Sequence, residues 1–529
     1  MELLQKSVHT EKIKSKGMLQ VPLEEDINVS DTKPDVARII YSSGDIKLDE
    51  IKTGMNKIWV KGQLCYQILY QAEGGESGEL AGMEGGLPFM EEIYLEKIEG
   101  QDRVICKADL EDMRVHMINS RKLSIQAVIS LEPRVEETMT EELCVELEGI
   151  NNISGGGEDC CDKLEYRKKS LDYLETVVKK RDLLRIHEEA KLPSGMPDIG
   201  SMLWKSMDIS NITFRSLEDK LAVSGEMNIF IVYREDSSDK VNWYETTIPF
   251  NGTVDCQNSR ENMVTDVSYD IGHEEITVRD DSDGEPRIIG VESTFELEIK
   301  LFEKETTPIV ADVYGVNCEV TAATEIKDFR NLLTELNIEE KITKNVELES
   351  TDPKILQICH SDAKVEIEET VFQEDEITIS GNLALQVLYT SSEDPTGFYP
   401  IKENIPFEIT RQVPGVGQAD VEQFSLFAQS NNPSISLKDG AQLEVRIVLN
   451  IRILVYNTNK EDILTDLKVA PIDTAVLERL PGFVIYYVKQ GDSLWQIGKK
   501  YYVSVERLKE INNLTSEEIK AGDRLLIVK

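Results

Sequence analysis

Tyr486, Tyr487, Trp495, Tyr501 and Tyr502 fall within seventeen residues near the end of a 529-residue chain. Such a density of aromatic rings suits recognition rather than bond-making, because interface centres favour aromatic side chains and avoid dense charge. The charge agrees: residues 486–529 hold eight Lys/Arg and six Asp/Glu, a net of +2, in a chain at −40, so the residues before them carry −42. Trp495 is the expected anchor of a contact, where truncation of a well-packed aromatic costs about 2 kcal/mol or more.

The groups that make and break bonds are not arranged to do so. His9, His116, His187, His273 and His360 are far apart and none has metal-ligand spacing, so each reads as a satisfied or exposed histidine. Acidic pairs occur throughout, which leaves no single carboxylate pair distinguished. "SGGGED" at 154–159 is rich in glycine but lacks the Lys-Ser/Thr of a phosphate-binding loop, and reads as a linker. No G-x-S-x-G occurs. Without a C-x-x-C, the eight cysteines signal neither a zinc nor a thioredoxin-like site. Cys65, Cys106, Cys144, Cys256, Cys318 and Cys359 stand singly in apolar, strand-like contexts, as small buried hydrophobes do. Cys160 and Cys161 are adjacent in a Gly-rich linker, where the sequence assigns them no role. The expectation is no catalytic residue, no metal, no cofactor and no enzymatic activity.

A net charge of −40 argues against nucleic acid, whose phosphates need clustered Lys/Arg. It equally disfavours anionic membrane surfaces. It serves to keep a large scaffold soluble, or to steer a basic partner. No apolar run reaches the roughly 18 residues of a membrane span. The first residues, "MELLQKSVHTEKIKSKG", are charged throughout with no apolar core of a signal peptide, so the expected location is cytoplasmic.

The elements that must carry the aromatic tail are announced by repetition. "KIWVKGQLCYQILYQ" at 57–71, "KLAVSGEMNIFIVYR" at 220–234 and "EITISGNLALQVLYT" at 376–390 share one pattern, an apolar stretch, a Gly, then alternation ending in Tyr. Eight residues separate Gly62 from Tyr70, Gly225 from Tyr233 and Gly381 from Tyr389. Upstream, Pro34, Pro197 and Pro353 each precede that Gly by 28 residues. Downstream come Pro88-Phe89, Pro249-Phe250 and Pro406-Phe407. Period-two alternation predicts half-buried strands, and Gly-rich acidic loops predict antiparallel hairpins. The mid-strand Gly predicts a bulge or a close backbone approach, and the Pro segments predict short helices opening at Pro.

The expected fold is therefore mainly β: three tandem antiparallel β domains with short helices, at 1–150, 163–315 and 324–457, then a linker at 458–482 and a small βααβ domain at 483–529. Residues 163–185 and 324–337 are expected to be helical. Within the tail, "IYYVK" predicts a strand, Ser493 three residues before Gln496 a capping box, and Leu494, Ile497, Gly498 and Tyr501 one buried helix face. Ser504 should cap a second helix with Val505, Leu508 and Ile511 inward, ended by Asn512 and Asn513. With its own caps and core, the tail should fold independently.

Tyr486, Val488, Gly491, Asp492, Ser493, Leu494, Trp495 and Ile497 resemble the aromatic-x-Val-x-x-Gly-Asp-Ser/Thr-Leu-Trp-x-Ile pattern of LysM modules. Gln490 and Gly498 depart from it, where Pro and Ala are usual; a helical Gly498 lowers stability by roughly 1 kcal/mol. The resemblance implies a groove for N-acetylglucosamine polymers, with Gly491, Asp492, Ser493 and Leu494 on one wall and Asn513, Leu514, Ile519 and Lys520 on the other. Leu494 and Gly491 also read simply as core and turn residues. The triplicated unit resembles the SPOCS domain of spore-coat proteins, and three of these before a LysM module resembles the clostridial SipL-like spore-coat morphogenetic family. That resemblance implies a mother-cell protein at the forespore and coat surface, whose LysM module docks a coat-basement morphogenetic ATPase rather than sugar.

Overall fold

The computed structural model describes residues 2–73, 79–148, 163–238, 240–316, 318–348, 353–393, 397–418, 423–438, 442–471 and 482–528. The first repeat contains β1 (Glu2–Lys16), β2 (Leu19–Asn28), β3 (Val36–Gly54), β4 (Lys57–Ala72), β5 (Leu80–Tyr94), β6 (Val104–Asn119) and β7 (Lys122–Glu148). The second contains β8 (Lys163–Lys191), β9 (Ile199–Leu217), β10 (Lys220–Glu235), β11 (Val241–Asp255), β12 (Val264–Asp280) and β13 (Pro286–Val316). The third contains β14 (Cys318–Glu347), β15 (Ile355–Gln373), β16 (Glu376–Ser391), β17 (Phe398–Gln412), β18 (Gln423–Ser430), β19 (Ser434–Leu437) and β20 (Gln442–Pro471). The fold is mainly antiparallel β, with two short helices near the C-terminus.

Every repeat is two sheets face to face. The short sheets run β3-β4-β5, β9-β10-β11 and β15-β16-β17. The long sheets are built on β7, β13 and β20, each flanked by the strand that opens its repeat. Inner faces supply the cores: Val223, Ile229 and Phe250 against Phe295, Leu297 and Ile299 in the second repeat, and Ile379, Leu383 and Phe407 against Ile447, Leu449 and Ile451 in the third. Each such side chain contributes about 1.5–3 kcal/mol on burial.

The recurring residues have one structural meaning. Gly62, Gly225 and Gly381 lie opposite Phe89, Phe250 and Phe407. A Cβ on the three glycines would meet those rings at 2.8, 2.9 and 3.0 Å, so each ring lies over bare backbone. On the other side the register slips at the same level, between Leu48 and Glu50, Ser224 and Glu226, and Ile367 and Glu369. The expected bulge and close approach are both present. The tyrosines reach back to the prolines: Tyr70, Tyr233 and Tyr389 donate their hydroxyls to the carbonyls of Pro34, Pro197 and Pro353 at 3.0, 3.1 and 3.1 Å. The repeated Pro–Gly–Tyr spacing is the length of chain that closes this bond.

Several expectations are corrected. The Pro segments open no helix; strands begin at Val36, Ile199 and Ile355, and a buried tyrosine claims each proline carbonyl. Residues 163–185 and 324–337 are strand, within β8 and β14, because β13 and β20 pair with them along their length; helix propensity is too weak a preference to oppose a complete ladder. The tether expected from 458 is strand to Pro471, paired with β14. Its remainder, like the Gly-rich stretch carrying Cys160 and Cys161, lies outside the described residues. Cys318, expected as a simple buried thiol, is disulfide-bonded.

The repeats are not beads on a string. β1 with the end of β7, the start of β8 with the end of β13, and the start of β14 with the end of β20 project as three two-stranded ribbons. They pack on one another through Val8, Leu143, Leu171, Ile309, Phe329 and Ile463. Beside this cluster, Glu11 of the first repeat pairs with Lys179 of the second at 3.1 Å, and Glu136 of the first with Lys300 of the second at 2.6 Å. Burial alone would raise the Glu136 carboxyl, but Lys300, Arg134 and Lys179 outweigh it and hold it below its ordinary range. The short sheets also share a centre, where Leu69, Val232 and Leu388, each the residue before the repeated Tyr, enter one cluster with Ile40, Trp204 and Cys359. Next to it Asp208 is pushed well above the ordinary carboxylate range, by burial first and then by Asp362, Glu274 and Asp45.

Two outcomes are expected. Tyr233→Phe leaves the Pro197 carbonyl without its partner and should cost about 1–3 kcal/mol in urea denaturation. Asp208→Asn should raise Tm near pH 7. A carboxyl whose folded pKa is raised destabilises progressively as pH climbs above its unfolded value of about 3.9. The gain should therefore vanish below pH ~4, when tracked by calorimetry across that range.

Candidate functional site

The tail forms the expected order: β21 (Phe483–Tyr487), α1 (Leu494–Tyr501), α2 (Val505–Ile511) and β22 (Arg524–Val528). Ser493 Oγ accepts the Gln496 N–H at 3.2 Å and the Gln496 carboxamide oxygen accepts the Ser493 N–H at 3.2 Å, which completes the capping box. Ser504 accepts from Arg507 N–H at 3.2 Å. Asn513 takes the left-handed conformation that ends α2, at φ 54°. Val488, Leu494, Ile497, Leu508, Leu525 and Ile527 form the core, with Tyr501 packed against it as anticipated.

The two groove walls come together over this core. Leu494 is buried, and Leu514 and Ile519 of the opposite wall pack against the same cluster. Gly491 is an exposed turn residue at φ +92°, a region closed to most side chains. Asp492 ties the turn: its carboxylate accepts from the Tyr486 hydroxyl and the Lys489 N–H, both at 2.8 Å. These bonds hold the Asp492 carboxyl below its ordinary range, the Lys489 N–H contributing most. Asn513 and Lys520 are exposed.

Trp495 is the exception, and its expected role as an exposed anchor does not survive. Only 6% of it is exposed, because the face of α1 that carries it docks on the ribbon tip of the second repeat. The indole N–H donates to Asp312 Oδ2 at 2.7 Å, and Lys499 Nζ donates to Asp312 Oδ1 at 2.5 Å. Tyr314 meets the indole edge-on at 4.7 Å between centroids, and its hydroxyl donates to the Val503 carbonyl at 3.0 Å. Arg167 lies 4.6 Å over the other face and pairs with Glu517 at 3.0 Å. Tyr314 also accounts for Gly498, where a Cβ would stand 2.6 Å from the Val503 carbonyl and 2.7 Å from the Tyr314 hydroxyl oxygen. The departure from Ala in the tail pattern was thus the one sequence signal of the dock; Asp312, Tyr314 and Arg167 carried none.

What remains outside is the far side of the module. Phe483, Ile485, Tyr487 and Leu526 are 73%, 65%, 57% and 39% exposed on one face of the β21-β22 sheet, an apolar patch on the surface of an acidic protein. Among the described residues no group of His, Cys, Asp and Glu could hold a metal ion, and no helix is long and apolar enough to cross a membrane.

The dock should be ionic in part. Burial tends to raise the Asp312 carboxyl, but Lys499 and the Trp495 N–H outweigh it, so it is held below the usual range. A depressed carboxyl stabilises above its unfolded pKa, and that contribution is lost as pH falls through the folded value. Asp312→Ala should weaken docking by about 1–2 kcal/mol, because solvent screens half of the pair. Trp495 emission should shift red in the variant at neutral pH, and in the wild type only on acidification below the ordinary carboxylate range.

The description "SipL, SPOCS domain" matches residues 35–118, 198–279 and 354–427, and the LysM domain matches 486–528. Over 42 residues, 8% of this chain, the tail is 62% identical to the N-acetylmuramoyl-L-alanine amidase sle1 of Staphylococcus saprophyticus, covering 13% of that protein. It is 48% identical over 40 residues, again 8% of this chain, to the probable peptidoglycan endopeptidase LytE of Bacillus subtilis, covering 12% of it. The chain thus spans about an eighth of the length of these curated relatives, through the LysM domain alone. No solved structure matches. The SPOCS matches fall one on each short sheet and its neighbouring edge strand, and with the LysM match they establish the family: this chain belongs to the SipL-like proteins, three SPOCS domains followed by a LysM domain.

Proposed function

We propose that the protein is a non-enzymatic adaptor of spore-coat assembly. Its three SPOCS repeats form one acidic scaffold, and its LysM domain docks the coat-basement morphogenetic ATPase on the forespore surface, within the mother-cell cytoplasm. The observation that carries this reading is the apolar face of Phe483, Ile485, Tyr487 and Leu526, held outward because Trp495 fastens the opposite side of the module to the second repeat. Exposed patches of this kind on otherwise polar proteins mark protein contacts.

A second reading, a LysM domain that holds N-acetylglucosamine polymers, is favoured by the tail's identity to LysM segments of peptidoglycan hydrolases and by the exposed groove residues Gly491, Asn513 and Lys520. Asp492, Ser493, Leu494, Leu514 and Ile519 would then shape the groove without reaching far into it.

The full chain, presented with the purified ATPase and separately with insoluble peptidoglycan, separates the two. Ile485→Asp, in an exposed strand position, should weaken ATPase binding about thirtyfold, the loss of one interface anchor, and leave peptidoglycan retention unchanged. Asn513→Ala should spare the ATPase. ATPase binding that survives Ile485→Asp, together with peptidoglycan retention lost in Asn513→Ala, would establish the sugar reading instead.

A further inference from the structure

Between the second and third repeats lies a cleft of about 690 Å³, within the range of about 300–1,000 Å³ typical of ligand sites. Its two walls are sheet edges. β9 is the outer strand of β9-β10-β11, and β18 is an outer strand beside β20. Neither pairs with a further strand along its cleft side among the described residues. Every second peptide group of an edge strand points away from its own sheet, here towards the cleft.

The edges already show what they bind. The side-chain amide of Gln429, on β18, crosses to β9 and treats it as a neighbouring strand would. Gln429 Oε1 accepts the Ile212 N–H at 3.1 Å, and Gln429 Nε2 donates to the Ile212 carbonyl at 3.4 Å. One carboxamide thus stands in for one peptide unit. Beyond it the cleft continues past Phe214 and Arg215 of β9 and Phe427 of β18.

These side chains set a pattern. Phe214 is half-buried and belongs to an aromatic group with Tyr269, which Phe427 also joins at 6.1 Å. Arg215 points to the opposite face of the strand and is exposed, with no ion pair or hydrogen bond among the described residues. An unpaired guanidinium is notable in a chain at −40, and it supplies the charge complementarity for a carboxylate. Because strand side chains alternate, a strand laid against β9 places one residue by Phe214 and the next by Arg215.

We infer that this cleft accepts an extended peptide of alternating apolar and acidic residues, which adds as a strand to β9 beside Gln429. This is β-augmentation: main-chain bonds give affinity and alternate side chains give selectivity. The site is separate from the LysM domain, so the scaffold itself recruits a partner.

The test uses the full-length protein and fluorescein-labelled heptapeptides, read by fluorescence anisotropy. One peptide alternates valine and glutamate, one alternates valine and lysine, and one repeats the first with two successive central amides N-methylated, one of which must face β9. The valine-glutamate peptide should bind, the valine-lysine peptide at least about fivefold more weakly, and the methylated peptide weakly or not at all. Arg215→Glu touches no other residue and should leave Tm unchanged while reversing the charge preference. The inference is overturned by no binding of the valine-glutamate peptide up to ~1 mM, by equal binding of the methylated peptide, or by an Arg215→Glu protein whose preference is unaltered.

Discussion

A two-stranded ribbon cannot bury a core by itself, and such hairpins are at best marginally stable in water. Each repeat of this protein ends in one. The long strands β7, β13 and β20 outrun the sheets that cover them, and past that point each pairs with a single neighbour. The ribbons therefore need one another, and their meeting through Leu143, Leu171 and Phe329 turns three sandwiches into one body. The ion pairs among Glu11, Glu136, Lys179 and Lys300 lie at this same junction. Buried pairs of that kind contribute less to stability than to register, because desolvation offsets their attraction.

That junction also explains the tail. The ribbon tip of the second repeat extends far enough to present Asp312 and Tyr314 beyond the body of the scaffold. The LysM domain closes on it with the one helix face that has a glycine where a side chain would obstruct Tyr314. The module is a fixed part of the architecture, and the indole that would be an anchor in a free module is spent on orienting it. Its apolar sheet face is what docking leaves uncovered.

The acidic character divides into two kinds of carboxylate. Most are on the surface, where they keep a large β protein with many strand edges from pairing with its neighbours. A few, Asp208, Asp362 and Glu274 among them, sit where the repeats converge; burial and then neighbouring charge raise Asp208, and burial raises the other two, Glu274 to about 7. The repeats are thus held together against some mutual repulsion, and apolar contact at Leu69, Val232 and Leu388 outweighs it.

Local periodicity was enough to determine the strands, the antiparallel hairpins, the threefold repetition and both helix caps of the tail. Each is written in residues close together in the chain, as the Ser493–Gln496 box shows. The Pro–Gly–Tyr spacing was legible as a repeat, but its cause, a hydroxyl returning to a carbonyl 36 residues earlier, is a contact that only folding creates. Residues 163–185 and 324–337 have side chains suited to a helix; a partner strand more than a hundred residues away decided otherwise, by offering every peptide group a bond. The same holds for Trp495. Its type marked it as a contact residue, and it is one, but whether it meets another molecule or its own chain depends on where Asp312, 183 residues earlier, is brought by the ribbon. Residue types state what a side chain can bind, and long-range packing alone selects the partner.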